Sequence, residues 1–497
     1  MTLTPELEAT RQQIEAYARD YGLDFYEVIF EMVDFETMNQ IAAYDGFPVR
    51  YPHWRFGMEY NRLSKAYAYG LQKIYELVIN TDPCYAYLMN CNRDIDQKTI
   101  IAHVYAHCDF FKNNATFAHT NRKMIDVMAN HGTQIRKYIE RYGEDTVEAF
   151  LDTCLSLENL IDNHSPHILR YETKSLNQTS YMDDAQETPP NFRLRAKPHM
   201  DKYINPTDYI AEQEQAYKDE QKRYKEQFPS EPYRDVLLFL MQHAQLENWQ
   251  VEVLSIVRDE ALYFAPQRAT KIMNEGWASF WHSNIMTQRA AEASEIVDFA
   301  DLHSGTMAMS GQNLNPYKIG LEIFRDIEDR WNTGRFGKEY DEIESYEEKR
   351  NWNKDLGLGR KKVFEVRRVY SDIMFLDEFL TMELCQQLKL FTFEYNGSSE
   401  QYEIASRQYQ DIKHKLLTSL TNFGEPYIEV VDGNYGNRSE LLLKHTHNGV
   451  DLKQDYAQDT LRNLYTIWKR PVNLETIVDD RPTLLSFDGS DHSSRTL

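Results

Sequence analysis

The sequence is poor in the features that mark several large classes of protein. Its five cysteines (Cys84, Cys91, Cys108, Cys154 and Cys385) are odd in number and form no CxxC pair. That argues against a disulfide scaffold or a thiolate zinc knuckle. Cations are scarce: 55 Lys+Arg stand against 78 Asp+Glu, a formal charge of −23. Too few cations remain for a large phosphate-binding surface, so no nucleic-acid partner is expected. Docking on an anionic membrane is disfavoured for the same reason. No run of about 18 apolar residues occurs, so no membrane insertion is expected. The start, Met1-Thr2-Leu3-Thr4-Pro5, lacks the basic and apolar stretches of a signal peptide. The expected location is cytoplasmic.

Aromatic residues, by contrast, are plentiful at 13 % of 497 residues. Such a chain has enough apolar surface to offset its ordering entropy, and its length suggests about two to four domains. Residues 1–165 read as an N-terminal helical segment. Thr4-Pro5-Glu6 has the cap, proline and acid of a helix start. Helical spacing continues over Phe25–Met38 and Gly57–Asn80. Asp96 would cap a helix running through His107 to about Asn114. Residues 166–230 form a polar excursion with a charged helix at Ala211–Gln227. Residues 231–388 are helical again and expected to pack with the first segment. Residues 389–488 read as a small α+β module, with strand-like Leu390–Tyr395, Tyr427–Val431 and Leu441–His445 and a turn at Asp432-Gly433-Asn434. Residues 489–497 read as a disordered tail. The expected fold class is mainly α: a multi-helix domain holding a metal site, followed by a small C-terminal α+β module.

Two stretches carry the chemistry. In Ile100–Phe111, His103 and His107 stand at i and i+4, one above the other on a helix face, where both imidazoles can hold one ion. In Met273–His282, Glu275, Ser279 and His282 share one face while Trp277 and Trp281 take the other. A carboxylate embedded among such residues needs a partner or a metal. His103, His107 and Glu275 together make a His₂Glu set with an open fourth position, the donor set of helical zinc hydrolases. The expected ion is Zn²⁺, with Fe or Mn as alternatives. Ser279 is placed to orient a histidine, and His282 to be a fourth ligand or to stabilise charge on a substrate. Helical zinc peptidases carry their base directly after the first histidine; this chain has Val104 there. Glu260, Asp109 and Glu158 are the candidate bases, Glu260 first. A carboxylate di-iron site is ranked lower because two Glu-x-x-His motifs are missing. His131, His164 and His243 read as capping or core residues. Gly357-Leu358-Gly359-Arg360 lacks phosphate-loop spacing, and Cys108 beside Phe110 and Phe111 reads as a core residue.

Several strings resemble the SpoVR family, the stage V sporulation protein R proteins of bacteria. They are Tyr75–Tyr87 (YELVINTDPCYAY), His103–Asn114 (HVYAHCDFFKNN), Ala118–Met124 (AHTNRKM), Leu155–Ile161 and Met273–His282 (MNEGWASFWH). The resemblance implies a role in forming the spore cortex or in a stress response. It also implies a protein partner in a kinase-linked stress pathway. No defined catalytic activity comes with it. Asn274–Ala278 is also similar to the segment supplying the glutamate ligand in some zinc peptidases. Three functions are therefore carried forward. The first is a zinc-dependent hydrolase acting on a peptide or wall precursor. The second is a non-catalytic regulatory or scaffold protein with a structural polar or metal core. The third is a non-haem iron redox protein.

Overall fold

The computed structural model describes residues 2–68, 76–168, 200–213, 215, 228–309, 314–397 and 401–497. Most of the polar excursion and most of the charged helix expected over 211–227 lie outside them, as do Leu71, Ile74 and Tyr75. The described chain is mainly helical, and it divides into two compact units. The first comprises Met1–Asp152 and Asp259–Glu425; the second comprises Thr153–Arg258 and Pro426–Leu497.

Two helices form the centre of the first unit. In Asp94–Asn113 every residue from Thr99 to Phe111 is buried, and in Lys271–Ile285 so is every residue from Ile272 to Ser283. A helix covered on all sides belongs to a core. Helices Pro5–Asp20, Pro316–Thr333, Gly359–Val369 and Asp372–Phe379 contribute to the same hydrophobic cluster. Helices Lys271–Ile285 and Pro316–Thr333 cross at Gly276 and Gly320. A Cβ on Gly276 would lie 2.4 Å from the Gly320 backbone, and one on Gly320 would lie 2.2 Å from the Ile272 carbonyl oxygen.

The N-terminal segment is not wholly helical. It holds a three-stranded sheet, β1 (Val28–Val33), β2 (Glu76–Ile79) and β3 (Cys84–Met89), in the order β1-β3-β2. β1 pairs parallel with β3, Val28 against Cys84 through Val33 against Met89, and β2 pairs antiparallel with β3. The expected helix at Phe25–Met38 is therefore strand β1 followed by helix Phe35–Ala43, capped by Asp34. The helix expected over Gly57–Asn80 spans Trp54–Ala68, and Glu76–Ile79 is a strand. Val28, Ile29 and Val33 are β-branched, and a pleated partner in β3 decides between the two spacings.

Later in the chain, β4 (Thr392–Asn396) and β5 (Gln401–Ser406) form a two-stranded sheet. The second unit carries β6 (Tyr427–Tyr435), β7 (Glu440–Thr446), β8 (Val472–Val478), β9 (Arg481–Phe487) and β10 (His492–Thr496) in one sheet of order β10-β9-β8-β7-β6. The parallel pair β7 and β8 is joined through helix Gln454–Trp468. β6 continues through Asp432-Gly433-Asn434 in place of the expected turn, with a register shift beside Asp432. The tail 489–497, expected to be disordered, carries β10, paired antiparallel with β9. Among the described residues, no helix is long and apolar enough to cross a membrane.

Candidate metal centre

His103 and His107 project from helix Asp94–Asn113, and Glu275 projects from helix Lys271–Ile285. Their ligand atoms lie within 4.8 Å of one another, and all three residues are buried. The Nε2 atoms of His103 and His107 each stand 3.5 Å from the same oxygen, Glu275 Oε2. That spacing is at the outer limit of a hydrogen bond, and Oε2 has no hydrogen-bond partner among the described residues. A tetrahedral ion with bonds of about 2.0–2.2 Å holds its donors roughly 3.3–3.6 Å apart. The spacing, the orphaned buried oxygen and the nitrogen and oxygen donors all fit a divalent ion.

The surroundings orient each donor. His107 Nδ1 is 2.9 Å from Asn274 Oδ1. An amide oxygen only accepts, so this contact calls for a proton on His107 Nδ1; in the neutral ring that leaves the Nε2 lone pair for an ion. His103 Nδ1 is 2.9 Å from His282 Nδ1, and His282 Nε2 is 3.1 Å from His303 Nδ1. Lys271 Nζ donates to Glu275 Oε1 at 2.8 Å, which leaves Oε2 as the inward oxygen. The Tyr317 ring stacks on His103 with centroids 6.0 Å apart.

The electrostatics separate the two imidazoles. Burial, with the neighbouring His107, pushes His103 down to about 4. Burial also opposes a charge on His107, but Glu275, Asn274 and Glu76 outweigh it and raise its pKa. Burial would raise Glu275; the two histidines and Lys271 overcome this and hold it well below the usual carboxylate range. Glu76, on β2, is pushed up to about 7 by burial, with His107 opposing and Glu275 adding to the rise. β2 packs against the helix that carries both histidines.

The other residues singled out in the sequence fall elsewhere. Glu260 binds Arg50 Nη2 at 2.6 Å, the Tyr51 hydroxyl at 3.2 Å and His131 Nδ1 at 3.1 Å. Glu158 belongs to the second unit. His282 adjoins His103 and turns both ring nitrogens to other histidines. The Ser279 hydroxyl has no hydrogen-bond partner among the described residues, and Asn274 and His282 do the orienting. Asn114 donates to the carbonyls of Arg367 and Tyr370. Asp109 is fully buried and accepts from Trp277 Nε1 at 2.9 Å. His243 packs between Phe228 and Phe239. His303 and Tyr317 carry no signal in the sequence, because they reach the site from other elements; Lys271 stands four residues before Glu275 on one helix, a spacing that could have named it, and Glu76 lies inside the YELVINTDPCYAY string. Asn274 lies inside the MNEGWASFWH string, which is the signal that could have found it.

The helix carrying Glu275 is held from outside. Thr270, at its N-cap, makes no side-chain capping bond. Asp372 instead accepts from the backbone N–H groups of Ile272 and Met273, both at 2.8 Å. Removing this cap in Asp372→Ala is expected to lower stability by about 1–3 kcal/mol, read as a shift in the denaturation midpoint. A midpoint equal to wild type would show that the cap is dispensable.

The family described as "SpoVR like protein" matches residues 2–425. The chain belongs to the SpoVR family. The "SpoVR-like C-terminal domain" matches residues 426–479, beginning where the second unit takes up the chain again at Pro426. The "Uncharacterized protein YcgB" of Escherichia coli (strain K12) is similar. It is 30 % identical over 504 aligned positions, covering 95 % of this chain and 92 % of the relative. No solved structure matches the chain. The SpoVR match over residues 2–425 includes every residue of the candidate centre.

Proposed function

We propose that this protein is a metal-dependent hydrolase holding one divalent ion, zinc first with iron or manganese as alternatives, on His103, His107 and Glu275. The observation that carries the reading is the orphaned Glu275 Oε2, 3.5 Å from both histidine nitrogens. When bound, such an ion supplies Lewis acidity and activates water. Asn274 orients His107, and Lys271 turns Glu275 so that a single oxygen faces inward. We assign proton transfer to Glu76 rather than to Glu260. Both oxygens of Glu260 are taken by Arg50, Tyr51 and His131, whereas Glu76, on the strand packed against the histidine helix, interacts electrostatically with His107 and Glu275. The proposed substrate is an amide or peptide, such as a wall precursor. The proposed setting is cytoplasmic, in cortex formation or a kinase-linked stress response.

Val104 and the burial of all three donors favour a second reading, a regulatory or scaffold protein with a structural ion. Protein purified without chelator is expected to contain about one ion per chain by elemental analysis, and His107→Ala to lose it. Absence of stoichiometric metal from the intact protein overturns the first reading. If the metal-loaded protein turns over no peptide or wall substrate while His103→Ala and Glu275→Ala unfold, the second reading holds.

A further inference from the structure

His103, His282 and His303 form a line of three imidazoles leading away from the candidate centre. The contacts are 2.9 Å between His103 Nδ1 and His282 Nδ1, and 3.1 Å between His282 Nε2 and His303 Nδ1. His103 and His282 are 6 % and 4 % exposed, and His303 is half-buried. We propose that His282 and His303 are positioning residues that fix His103 as an Nε2 donor to the ion. This inference rests on the metal site proposed above.

The argument is one of proton placement. A neutral imidazole has one N–H and one lone pair. If His103 gives its Nε2 lone pair to an ion, its proton sits on Nδ1, and His282 Nδ1 must accept it. The proton of His282 then sits on Nε2 and is donated to His303 Nδ1. One choice at the ion therefore sets three tautomers. Both nitrogens of His282 are engaged in this line, so it is not a fourth ligand. His107 reaches the same state more simply, through the amide oxygen of Asn274. Without His282, a buried Nδ1–H would lose its acceptor, which costs free energy and frees the ring to turn.

The test uses the full-length protein with zinc, and separately with cobalt, as the probe. Zinc affinity is measured by competition with a chromophoric chelator, and ligand geometry by the visible spectrum of the cobalt form. His282→Phe is expected to weaken zinc binding about 10–100-fold and to alter the cobalt spectrum. His282→Gln, whose side-chain oxygen can accept from His103, is expected to restore most of the affinity. His303→Ala is expected to weaken binding by a smaller factor. If wild type binds zinc and His282→Phe binds it equally tightly with an unchanged cobalt spectrum, this inference fails and the metal site stands. If wild type binds no stoichiometric zinc, both fail. Should His282→Phe not fold, His303→Ala decides, and unchanged affinity in that variant overturns the inference.

Discussion

Gly276→Ala is expected to destabilise the protein by about 3 kcal/mol or more, and Gly320→Ala by a similar amount. The added methyl meets backbone, not a flexible side chain: 2.4 Å from Gly320 in one case and 2.2 Å from the Ile272 oxygen in the other. Neither helix can yield locally, so the two must move apart, and each is packed into the same core cluster. Because Glu275 precedes Gly276, the shift should also draw Glu275 away from His103 and His107. Gly57→Ala is the control. It lies in helix Trp54–Ala68 with nothing within 4 Å of its added Cβ, and is expected to gain roughly 0.5–1 kcal/mol. Denaturant midpoints measure all three. A wild-type midpoint for Gly276→Ala would refute the close crossing.

Asp109→Ala should be of comparable size. Asp109 is fully buried, and its carboxylate accepts from Trp277 Nε1 at 2.9 Å and the Asp24 N–H at 2.8 Å, with Arg367 Nε at 3.4 Å. It joins three segments of the first unit, and its removal leaves a buried guanidinium without its counter-charge. Breaking such a pair costs about 3–5 kcal/mol. Burial pushes Asp109 up to about 6, against the pull of Arg367. The folded state thus holds this proton more tightly than the unfolded chain, whose carboxylate titrates near about 3.9. Between about pH 4 and 6 the folded form binds more protons, so this group's contribution to stability falls as pH rises. Asp109→Asn should flatten that part of the stability profile; an unchanged slope would show that Asp109 does not titrate there.

How much of this is legible in sequence follows from helix geometry. His103 and His107 are four residues apart, and Glu275 lies on a polar stripe opposite Trp277 and Trp281. Helical spacing converts such patterns into shared faces, so the three donors can be named together. Asn274, His303 and Glu76 act through tertiary approach, which local spacing does not encode, whereas Lys271, four residues before Glu275 on the same helix, is within its reach. The three-stranded sheet is hidden for a related reason. Phe25–Met38 carries apolar residues at helical spacing, and only pairing with Cys84–Met89 makes Val28–Val33 a strand. The Gly276–Gly320 crossing is hidden too, because a lone glycine in a helix looks merely weak until its neighbour is known.

The centre is assembled from two separated stretches of chain, since the first unit is interrupted by Thr153–Arg258. His107 and its partner Asn274 are 167 residues apart. At about 5–20 residues per second, the ribosome adds the second stretch on the order of ten to thirty seconds after the first. A nascent chain therefore displays two histidines with neither the carboxylate nor the orienting amide. Were an ion to bind this group, its full donor set would exist only after the unit closes around the second stretch.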